Sequence, residues 1–213
     1  MLKPSGLYYP NRFARLFLLA MERVMGTHGL NMILETAGLT AYMDQLPPDN
    51  MTREVDFAIL AAINQALEAA YGARGGRGMA LRIGREMVRG GLNRFGVFAG
   101  MSDPAFQALP LQQRVWLGLQ ALVAVFTRFC DQPSHLEEHD DHYILIIKHE
   151  PFSWGRVADA PVGHALAGII QQVLHWATDG YEFHVQQIAC RAVGAEDSMF
   201  KINKNPIGGV SFG

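Results

Sequence analysis

Cysteine is nearly absent: the 213 residues hold only Cys130 and Cys190, far apart and outside any C-x-x-C. They make a disulfide framework an unlikely basis for the fold, and a reducing, cytoplasmic compartment is the expectation. Charge is sparse too, at 18% of residues against 49% hydrophobic. Such a surface points to apolar area reserved for a subunit interface or a ligand cavity. The formal net charge of −2 offers no global basic field to draw in nucleic acid. No apolar run suggests a membrane span. The longest, residues 115–129, falls short of the roughly 18 residues required and carries Gln120 and Arg128. Near the N-terminus Arg12 and Arg15 precede the apolar run 16–21, in the manner of a signal peptide. Glu22 and Arg23 then cut the run short, and no small-residue cleavage site follows.

The fingerprints of nucleotide chemistry are also missing. No G-x-G-x-x-G follows a strand, and the run from Gly76 to Leu81 fails at its last position. No G-x-x-x-x-G-K-[ST] loop exists. The string Gly209-Val210-Ser211-Phe212-Gly213 matches G-x-S-x-G, but a nucleophile elbow needs a helix after it. An autonomous nicotinamide-dependent enzyme is therefore not expected.

Helical periodicity dominates the first half. Pro10 opens an amphipathic helix with Phe13, Leu16, Phe17, Ala20, Met21 and Val24 on one stripe, ended by Gly26 and Gly29. A short helix over 31–37 follows, and Pro47-Pro48 breaks the chain. Thr52 is the expected N-cap of the next helix, whose apolar face runs from Val55 through Ile59, Ile63 and Leu67. Residues 72–96 are glycine-rich yet helical in pattern. Gly84, Gly90 and Gly91 mark close helix packing, close approach to a ligand, or a kinked helix end. Pro110 starts a fourth long helix, to Phe129.

The period then becomes extended. Residues 135–139 and 143–149 read as a hairpin turning at Asp140-Asp141. Pro161 opens another helix, and strands over 181–193 and 199–203 follow. Helices, hairpin, helix, hairpin is an α+β order. It predicts one domain, 1–213, with N-terminal helices packed on a twisted antiparallel sheet from the C-terminal half. Residues 1–40 form a helical arm available for dimerisation.

Candidate chemistry is thin. Glu137, Glu138, Asp140 and Asp141 suit a solvated hairpin tip better than acid/base work. Arg74, Arg77, Arg82, Arg85, Arg89 and Arg94 are opposed only by Glu86; they form a solvated face or a clamp for a carboxylate. His135 and His139 fall about 13 Å apart on an extended segment. His164 and His175 share a helix face but lie too far apart for one metal.

An apolar pocket most easily forms between sheet and long helices. Its expected lining is Met87, Trp116, Leu119, Val123, Tyr143 and Leu145, closed by Phe183 and Val185. Trp116 and Tyr143 each add a hydrogen-bonding handle. The alternative is that these eight are plain core.

The last quarter carries a resemblance. Gln187-Ile188-Ala189-Cys190, then Gly194, Ser198, Phe200 and Ile202, follow the pattern E-x-x-C-x-x-x-G-x-x-x-C-x-F-x-I. Pro161-Val162-Gly163-His164 and the later Gly168 match a Pro-Val-Cys helix start. On these residues the chain resembles the vinyl-4-reductase domain family, whose fold is similar to TRAPP vesicle-tethering subunits and haem-based gas sensors. The resemblance implies binding of a small apolar, aromatic or tetrapyrrole-like molecule, as carrier or sensor, in a homodimer. Its alternatives are an enzyme or accessory reducing a vinyl group of a bacteriochlorophyll precursor, or an assembly subunit. Several members hold structural zinc through three Cys and one Glu. Here Gln187 stands for the Glu, Ser198 for the last Cys and Gly163 for the first, with His164 beside it. Only Cys190 remains, too few for a closed tetrahedral site, so neither zinc nor another cofactor is expected.

Overall fold

The structure, a computed structural model, describes residues 3–208. The Gly209–Gly213 string lies outside the described residues. Strand β1 (Tyr8–Pro10) leads into α1 (Asn11–Thr36), a single turn α2 (Ala41–Asp44), β2 (Arg53–Asp56) and α3 (Phe57–Arg89). Two 3₁₀ turns, Leu92–Arg94 and Gly96–Ser102, carry the chain to α4 (Pro104–Gln107) and α5 (Leu111–Phe129). The remainder is β3 (Ser134–Glu138), β4 (His142–Ile147), α6 (His164–Ala177), β5 (Phe183–Ala189) and β6 (Ser198–Pro206).

The expected α+β architecture is present. The C-terminal strands form an antiparallel sheet in the order β3-β4-β6-β5. Period-two burial sets its inner face: Phe183, Val185 and Gln187 of β5 are buried, while His184, Gln186 and Ile188 are exposed. Helices α5 and α6 lie against this sheet, α3 crosses α6, and α1 lies on α3. One hydrophobic cluster runs from Tyr9 to Ile202 and joins all these layers.

Two glycines interrupt the long helices. Gly26 in α1 and Gly72 in α3 adopt φ of 75° and 71°, each with extended ψ. An L side chain rarely takes that conformation, so each long helix is two helices meeting at a kink. Gly26 was the expected stop of the first helix; the chain resumes helix beyond it.

Thr52 is not the cap of α3. Residues 53–56 pair with β1 in a small antiparallel ribbon, and Asp56 caps the helix by accepting from the Ala58 N–H at 2.8 Å. Asp56 also accepts from the backbone N–H groups of Ser5 and Gly6, each at 3.0 Å. Val55, expected on the helical stripe, is buried on the strand instead. The pairing partner lies more than forty residues upstream, beyond the reach of local periodicity.

Candidate ligand-binding site

Of the eight residues expected to line a pocket, Tyr143, Leu145 and Val185 lie on neighbouring strands of the sheet and Trp116 packs against Tyr143. Tyr143 pairs with Ile202 and Leu145 with Phe200 on neighbouring strands, and Val185 flanks Ile202 from the other side. Leu119 of α5 and Met87 of α3 are buried, and the Trp116 and Tyr143 rings lie 5.7 Å apart. All eight belong to, or rest on, the one hydrophobic cluster. The three cavities described below are bordered by other residues. The helix layer closes tightly near them. A Cβ on Gly84 would collide with the Ala165 carbonyl oxygen, and one on Gly168 with that of Leu81.

The positions matched to zinc ligands gather around the start of α6. Gln187 reaches across from β5, and its Oε1 accepts the Gly163 N–H at 2.6 Å. A Cβ on Gly163 would collide with that amide, so Gln187 and a bare glycine are mutually fitted. Cys190 is fully buried with Val162 and Ala192 in a small apolar cluster. Ser198 is buried opposite Ile147. His164 is half-buried; burial, then the nearby Arg77 guanidinium, pushes its pKa below the usual imidazole value. Among the described residues, no three His, Cys, Asp or Glu side chains are grouped to hold a metal.

The arginine stripe is partly a clamp on the chain's own carboxylates. Arg85 donates to Glu182 just before β5 and to Gln172 of α6 at 3.2 Å. Glu182 is pushed up by partial burial, but the Arg85 hydrogen bond and charge outweigh this and hold its carboxyl below the usual range. Arg23 of α1 pairs with Glu86 at 2.8 Å. The acidic hairpin tip is solvated, with Glu138 paired to Lys204 at 2.7 Å and Asp141 to His142 at 2.6 Å.

Two cavities have mixed polar and apolar linings. One, of about 470 Å³, lies beside α3 and is bordered by Glu68 and Arg156, which pair with each other. Another, of about 380 Å³, lies past the end of α6 and is bordered by Ser102, Gln107, His175 and Asp179. The third differs in kind. It is a groove of about 380 Å³ lined by Phe95, Gly96, Val97, Ala124, Val125, Arg128 and Phe129.

This groove is built by a lid on a helix. Helix α5 supplies Ala124, Val125, Arg128 and Phe129, neighbours at helical spacing. The 3₁₀ segment supplies the opposite wall. Phe95 is held edge-on between Phe13 of α1, at 5.0 Å, and Phe129, at 5.1 Å. Trp176 of α6 donates its indole N–H to the Phe98 carbonyl at 3.2 Å, and Gln107 donates to the Met101 carbonyl at 2.7 Å. Phe98 and Met101 are buried anchors, while Val97 is 55% exposed at the groove's edge. The helical pattern expected over residues 72–96 stops at Arg89, and the chain beyond it turns through 3₁₀ segments. The usable signal was the run Phe95-Gly96-Val97-Phe98, three apolar residues in a segment otherwise marked as loop by its glycines.

No protein-family model matches this sequence, and no curated protein does. Solved structures do match. The Fe(II) unliganded H-NOX protein from K. algicida aligns with a TM-score of 0.55 at 14% identity, over 92% of this chain and 96% of that one. The fold is that of H-NOX domains. A mutant H-NOX of T. Tengcongensis aligns with a TM-score of 0.53 at 13% identity, over 92% and 97% of the two chains. A structure probing heme distortion in the H-NOX family aligns at 0.51 and 12% identity, over 94% and 98%. The H-NOX likeness covers nearly the whole chain. Among the described residues no helix is long and apolar enough to cross a membrane.

Proposed function

We propose that this protein binds a small apolar or aromatic molecule in the groove between the 3₁₀ lid and α5, and acts as a carrier or sensor rather than as an autonomous enzyme. The observation that carries this reading is the groove itself, concave and lined by Phe95, Val97, Ala124, Val125 and Phe129 with one charged residue at its margin. The lid supports it as well. A 3₁₀ segment has poorer hydrogen-bond geometry than an α-helix and yields more readily to an incoming ligand.

The H-NOX fold raises haem as the occupant, and the residues present do not fit it. Haem iron needs an axial ligand, most often imidazole, otherwise a thiolate or phenolate. No histidine, cysteine or tyrosine borders the groove, so its lining offers no such ligand. Burial pushes the Cys130 thiol and the Tyr9 hydroxyl well above their ordinary pKa values, which keeps both neutral. The glycine-mediated contact of α3 with α6 brings those helices into backbone contact beside the core.

The resemblance to the vinyl-4-reductase domain family, through Cys190, Gly194, Phe200 and Ile202, supports the same apolar class of ligand. In this chain the hydrogen bond from Gly163 to Gln187 ties α6 to β5 at the positions matched to zinc ligands. The low charged share favours a homodimer, which sedimentation across a range of concentrations would test. Native mass spectrometry of freshly purified protein tests the central reading. A retained apolar molecule, released by Val97→Asp, is the expected result; a chain that carries none and takes up none from an added panel of alcohols and phenols contradicts it.

A further inference from the structure

The groove is not uniformly apolar. Arg128 is its only ionisable lining residue, and no acidic side chain borders it. The Arg128 side chain is exposed and enters no ion pair among the described residues. A second guanidinium is close by: Arg53 donates to the Arg128 backbone carbonyl at 2.7 Å. Arg53 is already answered by Asp131, at 2.7 Å. Asp131 answers Arg53 and not Arg128, so the Arg128 guanidinium leaves one excess positive charge on the groove's lining.

From this excess, and resting on the reading of the groove given above, we infer that the ligand is an amphiphile with an anionic head, such as a medium-chain or aromatic carboxylate. Its apolar body lies along Phe95, Val97, Ala124 and Val125, and its carboxylate meets the Arg128 fork at the rim. Guanidinium matches a carboxylate with two parallel N–H donors, which sets orientation as well as affinity. The alkyl stem of Arg128 covers apolar surface while its head stays wet, so a bound ligand need not desolvate the charge fully. The pair therefore lies in the weak, salt-sensitive regime of surface ion pairs, worth about threefold to fivefold in affinity.

Calorimetric titration with decanoate and with decanol separates the two levels of the proposal. The wild-type protein is expected to bind decanoate about threefold to fivefold more tightly than decanol at low ionic strength, with the ratio falling as salt is added. Arg128→Gln should bring the ratio to about one, and Arg128→Lys should keep most of it; circular dichroism shows whether each variant is folded. Equal binding of the two probes by wild type, or a preference for decanoate that survives in Arg128→Gln, overturns the anionic head while leaving an apolar groove intact. Binding of neither probe overturns the groove reading itself.

Discussion

Gly84 of α3 and Gly168 of α6 each lie against the other helix's backbone. A side chain on Gly84 would strike the Ala165 carbonyl, and one on Gly168 the Leu81 carbonyl. The crossing is therefore set by two missing side chains, and it joins the N-terminal helical layer to the layer on the sheet. Alanine at either position is expected to destabilise the fold by about 3 kcal/mol, the upper part of the range for overpacking. Gly78 of the same helix has open space around it, so Gly78→Ala should instead gain up to about 1 kcal/mol from helix propensity. Urea unfolding of the three variants checks this; equal effects at Gly84 and Gly78 would contradict the close crossing.

Asp56 joins the ribbon to α3. It accepts from Ala58 at the helix start and from the Ser5 and Gly6 N–H groups. Partial burial pushes its carboxyl up, but these hydrogen bonds outweigh it and hold the pKa below the usual aspartate value. Asp56→Ala should cost about 2 kcal/mol, the upper end for loss of an N-cap. The contribution is present above the unfolded pKa and is lost as pH falls through the lower folded one. The gap between Asp56→Ala and wild type should therefore narrow in acid; a gap constant down to about pH 2 speaks against the assignment.

Glu150 has the opposite sign. Its side chain is buried, Oε1 accepts from the Phe152 N–H at 2.8 Å, and Oε2 has no hydrogen-bond partner. Burial raises its pKa, outweighing the hydrogen bonds from Ser153 and Phe152. A raised folded pKa favours the fold below the unfolded value of about 4.3, and that advantage is lost as pH rises through the folded value. Glu150→Gln removes the titration. Its stability relative to wild type should climb with pH across that window, then level off. A difference that does not vary with pH would show that Glu150 does not titrate in this way.

Much of this fold is legible in the sequence. The hairpin around Asp140-Asp141, the buried α5 and α6, and the alternation of Phe183, Val185 and Gln187 follow from period and turn residues. The β1–β2 ribbon does not, because Tyr9 and Val55 meet only through a long-range pairing. The apolar groove proposed here does not include the eight residues expected to line a pocket. Met87, Leu119 and Tyr143 are apolar at element spacing, and that pattern marks interior positions without saying which border a void. The groove instead uses Phe95 and Val97, held by an indole-to-carbonyl bond from Trp176 that no local pattern announces.

The most direct measurement is calorimetric titration of decanol into wild-type protein and into Ala124→Phe. Ala124 lines the groove from α5 and is only partly buried, so the larger ring should occupy the groove rather than overpack the core. If an apolar ligand lies between the lid and α5, Ala124→Phe remains folded and loses at least tenfold in decanol affinity, a change of about 1.4 kcal/mol. Wild-type affinity in a folded Ala124→Phe would contradict that placement.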